Sequence, residues 1–217
     1  MNLIIDIGNT STKLAVFQRD KVLIAKTIEG FSLVIEVENL LKEFTEIKRG
    51  FLSSVGFLSK DELKTLEKRL PMTVLSSTLK LPFKVHYKTP NSIGADRLAL
   101  MAAAATQYSE KNVLVIDAGS CITYDFIDSK NNYLGGAIAP GIQMRYKSLG
   151  DFTSSLPTLQ KRVPKNSIGN STHNSIHSGV INGVLYEIKG AINEYQNKYP
   201  DLTVILTGGD ADFLCKQ

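Results

Sequence analysis

The sequence predicts an α/β protein built as two related lobes with a cleft between them. Three observations carry that prediction. The run Leu3-Ile4-Ile5-Asp6-Ile7-Gly8-Asn9-Thr10-Ser11-Thr12-Lys13 ends an apolar strand in a carboxylate and turns at a glycine into a second strand, Leu14–Phe17. Leu114-Val115-Ile116-Asp117-Ala118-Gly119-Ser120-Cys121-Ile122-Thr123 repeats it 111 positions later in a chain of 217, with the same Asp-x-Gly turn and a threonine six positions past the aspartate. Around both turns, stretches of strand and helix character alternate. A repeat at nearly half the chain length dictates architecture, and the lobes are expected at residues 1–110 and 111–217.

In order, Leu14–Phe17 and Val22–Ala25 flank Gln18-Arg19-Asp20 as a hairpin. In 31–44 the apolar residues Val34, Val37, Leu40, Leu41 and Phe44 recur at helical spacing. Gly50–Val55 reads as a short buried strand, Ser59-Lys60-Asp61-Glu62 as a capping box opening a helix to about Leu70, and Met72–Leu75 as a fifth strand. Residues 76–91, with Pro82 and Pro90, form a loop with some extended structure. From Ser92 to Ala105 the chain is an alanine-rich helix whose first turn holds Gly94, Asp96 and Arg97. Alanine favours the helix and lets another helix or lobe pack closely, while an aspartate in a first turn also suits the helix dipole.

In the second lobe Val113–Asp117 and Ile122–Ile127 flank the repeated turn, and Asp128–Asn132 turns the chain into Tyr133–Ile138. Gly135-Gly136 on that strand, followed by Pro140-Gly141, require close approach of the backbone to a ligand or to a neighbouring helix. Residues 150–171 are a polar loop of a length used for lids and binding loops. Ser171 or Thr172 caps a long helix to about Lys198, along which Ile176, Val180, Val184, Ile188 and Ile192 keep helical spacing. Leu202–Leu206 is a strand, and Thr207-Gly208-Gly209-Asp210-Ala211 opens a helix whose entrance amides suit an anion.

Composition narrows the classes. With 43% hydrophobic and 21% charged residues the chain is that of a soluble globular protein with a sizeable core. Its formal charge of +4 is dispersed, without the basic, aromatic-interleaved stripe of a nucleic-acid surface, although it suits an anionic substrate. Two cysteines, Cys121 and Cys215, suggest no disulfide framework, and Cys121 reads as a small buried residue. The amino terminus lacks a basic signal-peptide region, and the longest apolar run, Leu98–Ala105, is too short to span a bilayer. A cytoplasmic setting without membrane contact is expected. His173 and His177 stand one turn apart, but two imidazoles without a third ligand read as packed or solvated side chains.

Chemistry concentrates in the turns. Asp6 at a strand end can hold Mg²⁺ directly or through water, and Gly8 lets the backbone approach an anion. Asn9, Thr10, Ser11 and Thr12 offer donors, and Lys13 adds a point charge for phosphate oxygens. Such a turn suits a metal-bound phosphate; the same residues also describe an ordinary Gly-Asn hairpin. Two Asp-x-Gly turns and a late Gly-Gly turn resemble the acetate and sugar kinase, Hsp70 and actin superfamily. Taken in order, Asp6–Thr10, Gly94–Arg97, Asp117–Thr123, Gly135-Gly136 with Pro140-Gly141, and Thr207–Asp210 resemble type III pantothenate kinases over nearly the whole chain.

That resemblance implies an actin-like ATPase fold of two ribonuclease H-like lobes and an ATP-dependent kinase acting on pantothenate. It implies that Asp6 to Lys13 form the first phosphate loop, with Asp6 serving Mg²⁺ and with Ser120, Gly208 and Gly209 at the nucleotide. Pantothenate falls to Tyr87, Gly94, Ala95, Asp96, Arg97 and Thr172, with Asp96 as proton acceptor. Asp117 takes the monovalent cation, K⁺ or NH₄⁺, and two chains form a homodimer in which each site is completed by the partner. Arg97 either anchors a substrate oxygen or holds Asp96 in place. Ser120-Cys121 stands where the family commonly has Thr-Ala, which keeps the hydroxyl. The sequence ends at Gln217, soon after the Gly-Gly turn, where relatives usually continue through another helix, implying a less covered back to the nucleotide pocket. Two other readings share the fold. A phosphatase cleaving polyphosphate is disfavoured by Gly94–Arg97, and a non-catalytic accessory or regulatory protein by the intact carboxylates Asp6, Asp96 and Asp117.

Overall fold

Strand β1 (Asn2–Ile7) buries Leu3, Ile5 and Ile7 on one face and turns Ile4 and Asp6 to the other, the period-2 alternation of a sheet with one face on a core. The computed structural model describes residues 1–28 and 33–217. The chain forms two compact units, Met1–Leu81 with Lys88–Leu100, and Pro82–Tyr87 with Met101–Gln217.

In the first unit β1 is followed by β2 (Thr12–Gln18) and β3 (Lys21–Ile28), an antiparallel meander turned tightly at Arg19, whose φ is 54°. Helix α1 (Leu33–Glu43), strand β4 (Arg49–Ser54), helix α2 (Lys60–Arg69) and strand β5 (Met72–Val74) follow. The sheet order is β3-β2-β1-β4-β5, with β4 parallel to β1 and β5 parallel to β4. Leu33, Val37 and Leu40 of α1 and Leu66 of α2 lock onto Leu3, Ile5, Leu14, Val16 and Leu52. Full burial of each such side chain stabilises the fold by about 1.5–3 kcal/mol. The predicted capping box is present: Glu62 N donates to Ser59 Oγ at 3.2 Å and Ser59 N donates to Glu62 Oε2 at 3.1 Å. The expected beginning of α1 at Phe31 lies outside the described residues. A 3₁₀ turn, Pro90–Ser92, precedes α3 (Ala95–Gln107), so Gly94 stands just before the helix rather than within its first turn.

The second unit repeats the meander. β7 (Val113–Ala118), β8 (Cys121–Ile127) and β9 (Asn132–Pro140) are antiparallel neighbours, and β10 (Thr203–Thr207) lies parallel to β7, as β4 does to β1. The short strand β6 (Lys84–Val85) adds to the far edge of β9, giving the order β10-β7-β8-β9-β6. Helix α4 (Ile142–Asp151), α5 (Thr172–His177), α6 (Gly183–Lys198) and the turn that joins the last two cover the sheet with Ile142, Tyr146, Ile176, Val180, Ile181 and Val184 against Leu114, Ile116, Tyr124 and Phe126. Ser171, one of the two expected caps, occupies the N-cap of α5 and accepts from Asn174 N at 3.3 Å. Between α5 and α6 the run passes through a π turn, Ser178–Asn182, that the spacing did not announce. A short helix α7 (Ala211–Cys215) closes the sequence.

Candidate active site

In the first unit Asp6 stands in the ladder between Lys13 on β2 and Ser53 on β4. Register partners share a face of the sheet, so carboxylate, ammonium and hydroxyl all lie on the side away from Leu3, Ile5 and Ile7. Ser53 Oγ is buried with no hydrogen-bond partner among the described residues. The loop Gly8–Ser11 is closed by Gly8 N donating to Ser11 O at 3.1 Å, and Asn9, Thr10 and Lys13 are exposed. Beyond β4, Val55 N and Gly56 N both donate to Ile7 O, at 2.9 and 3.0 Å. Gly56 has no room for a side chain, because a Cβ there would lie 2.4 Å from Gly8 O. Gly94 packs on the same segment: its Cβ would lie 3.3 Å from Val55 Cγ1 and 2.4 Å from Asp96 Oδ1. Asp96 Oδ1 accepts from Arg97 N at 2.8 Å, and Arg97 is buried. Residues 53–56 therefore stitch the Asp6 turn to the Gly94–Arg97 turn.

In the second unit Asp117 is flanked in register by Thr123 and Thr207. Thr123 is 9% exposed, and its Oγ1 is the second buried side-chain atom without a partner among the described residues. Gly208, at φ +97°, lies over this turn; a Cβ there would meet Asp117 Oδ1 at 2.3 Å and Ala118 O at 2.5 Å, so both conformation and space demand glycine. Asp210 N donates to Ala118 O at 2.8 Å, and Lys161, from the loop after α4, forms an ion pair with Asp210. Gly141 N donates to Ser120 O at 3.1 Å, and a Cβ on Gly141 would come within 2.2 Å of Gly119 O. The close approach expected of Pro140-Gly141 is thus to the Asp-x-Gly turn itself. Asp117 and Gly208 thus come together, Ser120 stands in the same turn against Gly141, and Gly209 faces open space.

Tyr87 and Thr172 stand elsewhere in this unit. Tyr87 follows β6 and stacks on Tyr133 of β9, ring centroids 6.2 Å apart. Thr172, the first residue of α5, lines an open, mostly apolar hollow of about 660 Å³ with Arg145, Leu149, Ile176 and Val180. Gly135 makes room for the Tyr87 ring and Gly136 lies against the Tyr124 backbone, and both line a hollow with Glu187, Ala191 and Tyr195 of α6. Cys121 is half-buried rather than buried. His177 is packed, its Nδ1 2.8 Å from Tyr146 Oη. Burial first, then the charges of Arg162 and His173, hold the His177 pKa below the usual imidazole value. Burial likewise raises the Tyr146 phenol.

Hard cations take carboxylates, hydroxyls and water. The two orphaned buried hydroxyls are register neighbours of the two turn aspartates, Ser53 of Asp6 and Thr123 of Asp117. Each pair offers the oxygen donors that a bound cation needs. Ser53 and Gly56 escaped the sequence reading. The available signal was Ser53-Ser54-Val55-Gly56, a glycine just past a buried strand, where close backbone approach is common.

The family model described as type III pantothenate kinase matches residues 2–194. The type III pantothenate kinase of Christiangramia forsetii is 47% identical over 214 residues, 99% of this chain and 88% of that one. That of Flavobacterium johnsoniae is 44% identical over 217 residues, 100% of this chain and 89% of that one. Among solved structures, a Campylobacter jejuni protein assigned to the Baf family of transcriptional activators superposes with a TM-score of 0.60 at 25% identity, over 99% of this chain and 86% of that one. Lmo2764 of Listeria monocytogenes, assigned as an N-acetylmannosamine kinase, gives 0.58 at 14% identity over the same shares, a likeness of fold. The fold is the actin-like ATPase fold of two ribonuclease H-like lobes that the motifs imply.

Proposed function

This chain belongs to the type III pantothenate kinase family and is an ATP-dependent pantothenate kinase, and we propose that Asp96 is the base that activates its substrate. The reaction moves the γ-phosphoryl of ATP to the primary hydroxyl of pantothenate, giving 4′-phosphopantothenate at the first step of coenzyme A synthesis. The observation that best supports the assignment of roles is the stitching by residues 53–56, which fixes a phosphate-holding loop and a carboxylate to one scaffold.

Asp96 accepts the hydroxyl proton as the hydroxyl oxygen attacks the γ-phosphorus and the bond to the β–γ bridging oxygen breaks, releasing ADP. Backbone amides of the loop that Gly8 opens, the hydroxyls of Thr10, Ser11 and Thr12, the Asn9 amide and the Lys13 ammonium hold phosphate oxygens, while the Gly8 amide closes the loop on Ser11 O. Ser120, Gly208 and Gly209 hold the nucleotide. Tyr87, Gly94, Ala95, Arg97 and Thr172 bind pantothenate. Asp6 with Ser53 would hold Mg²⁺, and Asp117 with Thr123 would hold K⁺ or NH₄⁺. When bound, these cations neutralise phosphate charge. The enzyme works as a cytoplasmic homodimer whose sites are completed by the partner. Leu134, Ile138 and Met144, exposed on β9 and α4, support a face that another chain covers.

The test is phosphorylation of pantothenate by ATP and Mg²⁺, with and without K⁺ or NH₄⁺, for wild type and Asp96→Asn. Cation-dependent product is expected, and the variant should lose about 10²–10⁴ in kcat with its unfolding temperature unchanged. A folded dimer that made no phosphopantothenate with either cation would overturn the assignment, and an active Asp96→Asn enzyme would remove Asp96 from its role.

A further inference from the structure

The chemistry above leaves three features of the second unit unused: a buried carboxylate, a bulged glycine and an aromatic cluster at the edge strand. They form one assembly. Asp125 of β8 is 0% exposed, and its Oδ1 accepts from Tyr133 Oη at 2.7 Å; Tyr133 is also 0% exposed. Burying a carboxylate is unfavourable unless donors satisfy it, so this bond ties the orientation of the Tyr133 ring to the sheet. Phe83 meets that ring edge-on, with centroids 6.0 Å apart and planes at 82°. Tyr87 lies parallel to it, within 2°. The backbone before Tyr87 is pinned as well, His86 N donating to Tyr133 O at 2.9 Å.

The bulge completes the seat. Ile127 pairs with Tyr133 and Phe126 with Gly135, so Leu134 is the extra residue on β9. Gly135 has φ +98°, and a Cβ there would lie 3.0 Å from Tyr87 Cε2 and 3.2 Å from Cδ2. Bulges of this kind re-aim side chains beside functional sites. Tyr133 is sealed from solvent while Tyr87 is only half-buried, so a ligand reaches the outer ring and never the inner one.

We propose that Asp125, Tyr133 and Gly135 are positioning residues for pantothenate, acting through Tyr87 by fixing the plane and place of its ring. The inference rests on the reading of Tyr87 as a pantothenate contact. Its experiment compares steady-state constants of the full chain with those of Tyr87→Ala, Tyr133→Leu, Gly135→Ala and the double variant Tyr87→Ala/Tyr133→Leu, each checked by thermal unfolding. An ordered aromatic pair accounts for a factor of about three to ten, so Tyr133→Leu and Gly135→Ala should each raise the pantothenate KM by that much. The ATP KM and kcat should stay within about twofold, and the double variant should be no worse for pantothenate than Tyr87→Ala alone, since coupled sites are not additive.

A general structural role would instead move both KM values or add in the double variant, and either result overturns the inference. Should Tyr87→Ala raise the pantothenate KM while Tyr133→Leu and Gly135→Ala do not, the inference fails and the Tyr87 contact stands. Should Tyr87→Ala change nothing, the contact itself fails and takes the inference with it. If Tyr133→Leu does not fold, Gly135→Ala decides, because it leaves the Asp125–Tyr133 bond intact.

Discussion

Replacing Gly56 by alanine tests whether the segment after β4 sets the shape of the Gly8–Ser11 loop proposed to hold phosphate. The added methyl would start 2.4 Å from Gly8 O, 3.1 Å from Gly8 C and 3.2 Å from Ile7 Cγ2. Ordinary contact lies about 1 Å farther out than the first of these, so something must move, and the nearest atoms belong to backbone. Two outcomes bound the response. If the segment lifts, Val55 N→Ile7 O and Gly56 N→Ile7 O are stretched. Two such bonds contribute about 1–3 kcal/mol net. If it stays, overpacking costs about 1–3 kcal/mol. Either way a loss of about 1–3 kcal/mol is expected, lowering the unfolding temperature by roughly 2–4 °C per kcal/mol in a chain of this size. Whatever fraction goes into displacing the Gly8–Ser11 loop appears instead as a higher ATP KM, tenfold for each ~1.4 kcal/mol. Differential scanning fluorimetry and steady-state kinetics on one preparation read both. A Gly56→Ala enzyme that kept its unfolding temperature and its ATP KM would refute the argument that this glycine is required by the loop it touches.

Gly208→Ala forces a side chain into φ +97° and against Asp117; with a conformational cost of about 1–2 kcal/mol plus displacement of the carboxylate, half-saturation by K⁺ should rise at least about tenfold, and an unchanged K⁺ titration would separate Asp117 from the cation. His177→Gln should flatten the acid side of the stability curve. Because the folded chain holds His177 neutral below the usual 6.5, the unfolded chain takes up the proton first, so wild-type stability falls as pH drops below about 6.5 and is untouched by this group above it. Equal acid slopes for both proteins in thermal unfolding would contradict that linkage. Ser59→Ala removes the cap that receives Glu62 N and should lower stability by about 1 kcal/mol in denaturant titration without altering the kinetic constants.

The parts of the fold that could be read ahead of the coordinates are those governed by local rules. The apolar runs in 2–7 and 113–118, the Ser59–Glu62 box and the two Asp-x-Gly turns each depend on residues within a few positions of one another. Gly56 and Gly135 were harder because their need for glycine is set by distant neighbours, the Gly8 carbonyl and the Tyr87 ring. A glycine reports that something comes close and not what it is. Strand β6, two residues long, carries too little pattern to be seen, yet it brings Tyr87 to Tyr133. In the candidate site, aspartates and glycines were identifiable from their turns. The hydroxyls of Ser53 and Thr123 acquire meaning only once register sets them beside Asp6 and Asp117.

The π turn at Ser178–Asn182 bears on how this helix is compared with others. Ile176, Val180, Val184, Ile188 and Ile192 recur every four residues, and on a regular helix of about 3.6 residues per turn such a repeat slips by roughly 40° at each step. Four steps would carry the last of them nearly to the opposite side, yet Ile176 through Ile188 are buried in one core and Ile192 packs against it. The wide turn advances less per residue and absorbs part of the slip. It amounts to one inserted residue hidden inside a helix. A relative lacking it would match this stretch only across a single-residue gap. Counting positions without that gap would assign the counterpart of Thr172 to a residue about 100° away around the helix axis.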